Sequence, residues 1–292
     1  MKVISVVGYK KSGKTALVSA LVQKLSGFGT VGTVKHMGEQ RLNPAETDTG
    51  RHFDAGADMV IGITGTGTVG TGTTGTELVS FSRGSDLEDA LDMLCDQGFD
   101  FAVVEGFKES NLPKIVLGDL QGVSNVFFRM PENLEMHEEF TAFLVGMILA
   151  QPDRYTLEAL IKKARNSPSI WKAGAIGTFT GIVRELAGDE KTSRLEFEKY
   201  EPEASKALDR IRKEIKQKEG ILEVLIHHKT GIIEAGEDIV YIVIAAAHRT
   251  ELFPALSEAI ERIKAEAPIW KKEFTEKEEF WVQDKEQDRK QA

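Results

Sequence analysis

The chain has 292 residues, a formal net charge of -9 at pH 7 and a hydrophobic content of 41%. Domains of about 100 to 200 residues are typical, so we expect two domains, 1–151 and 152–292. The acidic balance disfavours a nucleic-acid-binding protein, because such proteins depend on basic surface that neutralises phosphates. The single cysteine, Cys95, excludes an internal disulfide framework and a cysteine-built metal site.

Two apolar runs are candidates for a targeting or membrane segment, and neither fits. The polar stretch GYKKSGK directly follows VISVVG near the start, so the apolar run is too short for a signal peptide. FLVGMIL, residues 143–149, is far shorter than the ~20 residues that cross a bilayer. We therefore expect a soluble, cytoplasmic protein with no membrane partner.

The first half alternates strands rich in Val and Ile with helical patterns. In chain order the segments are VISVVG, the helix TALVSALVQKL, TVGTVKH, DMVIGIT, the helix LEDALDMLCDQ, FDFAVVEGF, KIVLGD and the helix HEEFTAFLVGMILA. This rhythm predicts an α/β domain with a mainly parallel sheet. The Gly/Thr-rich tract at 64–77 is predicted to be a loop or a short hairpin, and QPDR at 151–154 separates the halves.

The order of elements changes in the second half. A helix over TLEALIKKARNS precedes the strands GAIGTFTGIV and RLEFEKY, a helix over PEASKALDRIRKEIKQKEG, the strands ILEVLIHH and DIVYIVIAAA, a helix over LFPALSEAIERIKAE, and EFWV. Strands that come in pairs between helices predict an α+β domain with a mainly antiparallel sheet.

The stretch GYKKSGKT matches GxxxxGK[ST] between the first strand and the first helix. In such a phosphate loop, backbone amides cradle phosphate oxygens, the lysine reaches the β and γ phosphates, and the final hydroxyl ligates magnesium. An ordinary glycine turn is the alternative, and the motif alone does not identify the nucleotide. Lys10 adds positive charge, and the predicted nucleotide-binding residues of the loop are Gly8, Lys11, Ser12, Gly13, Lys14 and Thr15.

Five more residues are candidates for the nucleotide side of the same domain. Glu105 ends the apolar run FAVVE, where a carboxylate can orient a magnesium-bound water; a solvated strand-end carboxylate is the alternative. Lys35 and His36 end a strand at what we expect to be the same sheet edge. Asp48 and Arg51 lie near a helix start and are equally compatible with capping and surface roles.

GYKKSGKT, TVKH, ETDTGRHFDAGAD and VVEGFK together resemble the MobB-type GTP-binding adaptor of molybdopterin-guanine dinucleotide biosynthesis, over about residues 1–150. The resemblance implies that Gly8 to Thr15 hold GTP and Mg²⁺, that Thr15 and Glu105 lie at the metal, and that Asp48 lies on the nucleotide side. After His36, family members often carry further histidines, whereas this chain reads MGEQRLN.

The stretch IKAEAPIWKKEF places Lys264 and Lys271 seven residues apart with Pro268 between them. On one continuous helix they would share a solvated face. Pro268 instead predicts a helix that ends near Glu266, with Lys271 on the next, extended segment.

Other cationic residues of the second half follow strand ends. Arg184 follows FTGIV, and His248 and Arg249 end the run IVYIVIAAA just before a helix, a position that favours anions. A surface role is the alternative for each of them taken singly.

GAIGTFTGIVRE, LEFEKY, IHHKTG, AAAHR and KAEAPIWKKEF are similar to the large, catalytic subunit of molybdopterin synthase, the MoaE type, over roughly residues 155–285. The resemblance implies conversion of cyclic pyranopterin monophosphate (precursor Z) into molybdopterin. The sulfur would come from the C-terminal thiocarboxylate of a ubiquitin-like small subunit. Where the family commonly has arginine in the IHHKTG stretch, this chain has Lys229.

The resemblance also implies roles for the second-half residues. Lys264 would give acid/base or covalent help, Lys271 would orient substrate and thiocarboxylate, and Arg184, His248 and Arg249 would bind phosphate and pterin. We expect a fusion of two steps of one pathway, with a homodimer or larger assembly and a downstream guanylyltransferase as partners. The alternatives are a non-catalytic regulator that only binds molybdopterin or the small subunit, and a phosphate-loop kinase acting on a pterin.

Overall fold

A computed structural model describes residues 1–37, 47–63, 67–68, 74–75, 78–82, 84–131, 137–187 and 190–282. The chain forms two compact units, Met1–Arg154 and Tyr155–Ala292. Among the described residues, no helix has the length and apolar character needed to span a membrane.

The first unit is built around a parallel sheet. Its strands, β1 (Lys2–Gly8), β2 (Val31–Lys35), β7 (Phe101–Glu105), β8 (Lys114–Leu117) and β9 (Val126–Met130), lie in the order β2-β7-β1-β8-β9, and all adjacent pairs are parallel. Its helices are α1 (Lys14–Leu25), α2 (Asp48–Asp54), α3 (Leu87–Gln97) and α4 (Glu138–Leu149). The predicted parallel α/β fold is confirmed.

Apolar residues at helical spacing hold α1 and α4 against this sheet. Leu17 and Leu21 of α1 and Leu144 and Ile148 of α4 pack with Ile4 and other strand residues in one core. Burial of each such side chain contributes about 2 kcal/mol, so the sheet edge that carries the phosphate loop is firmly supported.

The strand DMVIGIT was predicted to belong to the parallel sheet, and this placement was wrong. DMVIGIT forms β3 (Met59–Ile63), which pairs antiparallel with β6 (Leu78–Ser82) in a separate two-stranded sheet. Val60 is buried whereas Ile61 and Ile63 are exposed, so only one face of β3 packs. A strand of a covered parallel sheet is buried on both faces, and an apolar run alone does not separate the two cases.

The Gly/Thr-rich tract contains two short strands, β4 (Gly67–Thr68) and β5 (Thr74–Gly75), which pair antiparallel. This pairing agrees with the hairpin that threonine's β preference allows. The other residues of the tract lie outside the described part of the chain.

The second unit is antiparallel, as predicted. Strands β10 (Ala175–Ile182), β15 (Asp238–Ala246) and β13 (Ile221–His228) form one sheet in that order. A second sheet has the order β11-β12-β16-β17, with β14 paired to β12; these strands are β11 (Leu186–Ala187), β12 (Glu190–Lys199), β14 (Gly231–Glu234), β16 (Ile269–Thr275) and β17 (Glu279–Trp281).

Helices cover both faces of the three-stranded sheet. Helices α6 (Glu203–Lys216) and α7 (Arg249–Glu266) pack in one core with β13 and β15. Helix α5 (Leu157–Arg165) packs in another core with Tyr241 and Val243 of β15, and a 3-10 turn (Ile170–Lys172) follows it. Because it is covered on both sides, β15 reads as a continuous apolar run.

Candidate functional site

The phosphate loop joins β1 to α1 in the geometry that anion binding needs. Gly13 precedes α1 with a φ of 87° and Lys11 has a φ of 66°, so both lie in the left-handed region. A Cβ on Gly8 would lie 2.6 Å from the Ser12 Oγ and 3.0 Å from the Leu117 Cβ, so the loop passes too closely for a side chain there. The free N–H groups of the first turn of α1 therefore open onto this loop.

Glu105 contacts two other predicted nucleotide-site residues at the edge where the parallel strands end. The Thr15 Oγ1 donates to the Glu105 carboxylate at 3.0 and 3.1 Å, and the Lys35 Nζ lies 3.1 Å from its Oε1. The Glu105 side chain is only 11% exposed, which excludes the solvated strand-end alternative. Because β7 lies between β1 and β2, these three side chains meet where the parallel strands end.

The loop is preorganised for phosphate. The Lys14 Nζ donates to the carbonyls of Gly8 (3.0 Å) and Tyr9 (2.5 Å), so its charge is held over the loop. The Ser12 Oγ is buried without a hydrogen-bond partner in the described structure. A buried hydroxyl that lacks a partner costs about 1–3 kcal/mol, and a phosphate oxygen is a fitting acceptor for it.

A cavity of about 420 Å³ adjoins the loop. Loop residues form one side of it, and the ends of β8 and β9 form the other with Leu117, Gly118, Met130 and Pro131. Sequence reasoning missed these four residues. The signal available was the strand end VLGD, at the edge where ligands of parallel sheets bind.

Other first-half candidates lie at the surface. Asp48 is 91% exposed and forms an ion pair with Arg51, with Oδ1 and Nη1 3.7 Å apart, which agrees with the surface alternative. His36 is exposed and its ring packs edge-on against Phe107, with centroids 5.1 Å apart. Met37 is described, but the segment GEQRLN that follows it, where family members often carry histidines, lies outside the described residues.

In the second unit, Lys264 and Lys271 line one cavity of about 670 Å³. Helix α7 ends at Glu266 and β16 begins at Ile269, so the predicted break at Pro268 is confirmed. Lys271 lies opposite Phe197 in the β12–β16 register. Apolar and aromatic side chains make up most of the remaining wall, with Phe179, Phe197, Ile263, Trp270 and Trp281 among them.

The next lysine along the chain has a different environment. The Lys272 Nζ pairs with the Glu279 Oε1 at 2.8 Å and lies 5.0 Å from the Phe274 ring centroid. Adjacent residues of a strand point to opposite faces, so Lys272 points away from the face that carries Lys271.

The remaining cationic candidates do not line this cavity. His248 directly precedes α7 and Arg249 is its first residue, and both are exposed; Arg184 is exposed beyond the end of β10. Arg249 and Lys264 are fifteen residues apart on one helix. At 1.5 Å per residue this separation is about 22 Å, so within one chain the two side chains do not meet the same atoms.

His228 is a cavity residue for which sequence reasoning predicted no role. It is 8% exposed, ends β13, and lines the cavity together with the two lysines. Lys229, by contrast, places its Nζ 5.5 Å from the Tyr241 ring centroid and is not among the cavity-lining residues. The motif IHHKTG was the signal, but a motif does not tell which of two adjacent histidines faces a cavity.

Burial and charge keep both imidazoles of this motif neutral. Burial lowers the pKa of His227 to about 3, and the positive charges of Lys199 and Lys229 add to this lowering. Burial lowers the pKa of His228 to about 4, against a hydrogen bond to the Lys229 carbonyl that raises it, with the charge of Lys199 as a further lowering cause. Burial also lowers the pKa of Lys199.

Two protein-family models match successive parts of the chain. The model described as "Molybdopterin guanine dinucleotide synthesis protein B" (MobB) matches residues 3–134, and the model described as "MoaE protein" matches residues 150–266.

Individual relatives agree with these matches. A "Probable molybdopterin synthase" of Haloferax volcanii is 35% identical over 287 residues, which are 98% of this chain and 100% of that protein. The "Molybdopterin synthase catalytic subunit" of Bacillus subtilis is 42% identical over 44% of this chain and 78% of its own length. A molybdopterin synthase structure from Staphylococcus aureus has 40% identity and a TM-score of 0.37, over 38% of this chain and 82% of that one.

A relative that matches along nearly the whole chain relates both halves together to one known protein. The two matched families belong to molybdenum cofactor biosynthesis, and the predicted fusion is confirmed. The chain therefore belongs to the molybdopterin synthase family, as an enzyme of molybdenum cofactor biosynthesis in which a MobB-type region precedes a MoaE-type region.

Proposed function

We propose that the second domain, residues 152–292, transfers sulfur to cyclic pyranopterin monophosphate and produces molybdopterin. The sulfur donor is the C-terminal thiocarboxylate of a ubiquitin-like small subunit. The observation that carries this proposal is the convergence of Lys264 and Lys271 on one largely apolar cavity. Two ammonium groups suit a reaction whose substrate carries a phosphate and whose donor carries a thiocarboxylate, because charge pairs are stronger away from bulk water.

The two lysines differ in their exposure and in the element that carries them. Lys264 lies in the last turn of α7, with its Nζ 3.9 Å from the Glu261 Oε1, and its side chain is 46% exposed. Lys271 is less exposed and lies within a paired strand. We assign acid/base or covalent help to the more exposed Lys264 and the orientation of substrate and thiocarboxylate to Lys271.

Separate alanine substitutions test this assignment. Lys264→Ala is expected to lower the rate of the chemical step by about a hundredfold or more with substrate affinity retained. Lys271→Ala is expected to weaken substrate binding as well. If Lys264 acts covalently, reduction during turnover traps an adduct on this residue. The reverse pattern of rate and affinity would reassign the two roles.

We further propose that the protein acts as a homodimer or larger assembly. Arg184, His248 and Arg249 bind substrate phosphate and pterin in this proposal, yet Arg249 and Lys264 are about 22 Å apart along α7. A second copy then supplies His248 and Arg249 to the lysine cavity. Mixing the inactive Lys264→Ala and Arg249→Ala proteins is expected to restore part of the activity, since some sites regain both residues. No recovery in mixtures that exchange subunits contradicts a shared site.

For the first domain, residues 1–151, we propose binding of GTP with Mg²⁺. Gly8, Lys11, Ser12, Gly13 and Lys14 would hold the phosphates, with Lys35 and Asp48 on the nucleotide side. Thr15 and Glu105 would hold Mg²⁺, which neutralises phosphate charge when it is bound. The buried Ser12 Oγ, which has no hydrogen-bond partner among the described residues, and the contact between Thr15 and Glu105 support this fit.

Nucleotide titration tests the first-domain proposal. We expect GTP to bind more tightly with Mg²⁺ than with chelator, and Lys14→Ala to abolish most of the binding. Equal binding of ATP would contradict the choice of GTP. In the pathway, this domain would act as an adaptor for guanine dinucleotide cofactor formation with a downstream guanylyltransferase. The fusion would raise the local concentration of molybdopterin for that step.

A further inference from the structure

His228 provides a hydrogen-bond acceptor in a cavity that is otherwise lined by donors and apolar groups. The polar side chains among the described lining residues are His228, Lys264, Trp270, Lys271 and Trp281. Ammonium and indole groups only donate hydrogen bonds. An imidazole nitrogen without a proton is therefore the one side-chain acceptor that these lining residues can offer to a ligand.

The protonation of the His228 ring follows from its contacts. Its Nδ1 lies 2.6 Å from the Lys229 carbonyl oxygen, and because a carbonyl only accepts, Nδ1 carries the proton. Since burial and positive charge lower the pKa of His228 to about 4, the ring is neutral at pH 7. The other nitrogen, Nε2, then has a free lone pair.

Neighbouring groups fix the position of this ring. The Lys199 Nζ donates to the His228 carbonyl at 2.6 Å and holds the end of β13. The Phe197 ring packs edge-on against the imidazole, with centroids 5.1 Å apart and an interplanar angle of 68°. A ring that is held in this way loses little conformational freedom when a ligand binds.

Resting on the proposed function, we propose that the His228 Nε2 accepts a hydrogen bond from an N–H group of the reduced pterin ring. A pterin carries several N–H donors on a flat heterocycle, and the phosphate and the thiocarboxylate have none to offer. Lys271, Arg184 and Arg249 thus bind the anionic groups, while His228 recognises the heterocycle. A ligand that lacks the N–H group leaves the buried acceptor unpaired, which makes His228 a specificity residue.

Binding of cyclic pyranopterin monophosphate to the full-length chain, measured by calorimetry at pH 7, tests this inference. His228→Phe removes the acceptor and is expected to weaken binding about tenfold, the equivalent of one hydrogen bond. His228→Gln restores an acceptor near the Nε2 position and is expected to recover most of the affinity. Unchanged affinity in His228→Phe overturns the inference.

His227→Phe is the matched control. His227 is adjacent on the same strand, and its ring packs against Tyr155 and Tyr241, with centroids 5.0 and 6.3 Å away, instead of lining the cavity. We expect this variant to bind the pterin as the wild type does. A loss equal to that of His228→Phe means that the strand, and not the acceptor, is responsible, and contradicts the inference.

The ring protonation gives an independent check that needs no ligand. Isotope-edited NMR of His228 at pH 7 is expected to show a neutral ring with the proton on Nδ1. A charged ring, or a proton on Nε2, overturns the inference even if pterin binds. A wild-type protein that has the expected ring protonation but binds no pterin refutes the proposed function, and with it the role of His228 in pterin recognition.

Discussion

Lowering the pH from 7 to 5 is expected to destabilise the second unit through its two adjacent histidines. The pKa values are about 3 for His227 and about 4 for His228, against 6.5 for an unperturbed imidazole. Between these values the unfolded chain binds protons that the folded chain does not. The free energy of unfolding therefore falls as the pH falls below about 6.5, and this contribution is fully present only above that pH.

The size of the effect follows from the same values. Between pH 7 and pH 5 each imidazole lowers the free energy of unfolding by about 2 kcal/mol, so the pair lowers it by about 4 kcal/mol. The carboxylates with lowered pKa values affect a different range. Arg262 lowers the pKa of Glu266 from 4.5 to about 2, so this stabilisation is lost only below about pH 4.5. Between pH 7 and pH 5 the change in the free energy of unfolding therefore comes mainly from the two histidines.

Tryptophan fluorescence reports on the relevant unit alone, because Trp171, Trp270 and Trp281 all lie in the second half of the chain. We expect urea unfolding followed by this signal to shift to lower urea at pH 5. His227→Phe is expected to halve the pH dependence, whatever its own effect on stability at pH 7. Equal stability at the two pH values, or an unchanged pH dependence in the variant, would refute the reasoning.

Three further predictions concern the first unit. Glu105→Gln is expected to weaken Mg²⁺-dependent nucleotide binding about tenfold, because it removes the charge that faces Thr15; unchanged magnesium dependence in a titration would contradict this. Gly8→Ala places a Cβ 2.6 Å from the Ser12 Oγ, so we expect a fluorescent nucleotide to bind much more weakly, and wild-type affinity would count against the loop geometry. Lys114→Met removes a fully buried ammonium that donates to three backbone carbonyls. We therefore expect a destabilisation of about 3 kcal/mol and faster amide exchange in the loops around β8. Wild-type exchange would disprove that Lys114 holds these loops.

The nucleotide side of the first unit could be predicted largely from local pattern. A strand, a glycine-rich turn and a helix define the loop, and parallel strands end at one edge, so Thr15, Lys35 and Glu105 were expected to lie near one another. The placement of DMVIGIT could not be predicted in this way. Its partner, Leu78–Ser82, follows the Gly/Thr-rich tract, and whether one or both faces of a strand are covered depends on the tertiary structure.

In the second unit, Pro268 correctly separates a helix from a strand, but it does not indicate where the strand goes. The convergence of Lys264 and Lys271 depends on the pairing of β16 with β12, which places Lys271 opposite Phe197. That register is set by long-range packing, and only the family resemblance anticipated it. The separation of Arg249 from Lys264 follows from the length of α7. The helix predicted over residues 252–266 already placed Arg249 before its start and Lys264 near its end.

We propose that this chain makes molybdopterin at the cavity lined by Lys264 and Lys271. The most direct measurement is product formation from cyclic pyranopterin monophosphate by the purified full-length protein, supplied with a thiocarboxylated small subunit. Lys264→Ala and Lys272→Ala are assayed beside it, since Lys272 carries the same charge but pairs with Glu279 away from the cavity. We predict dithiolene product from the wild type and from Lys272→Ala, and little from Lys264→Ala. No product from a folded wild-type protein that still binds the small subunit would contradict the account and favour a non-catalytic carrier.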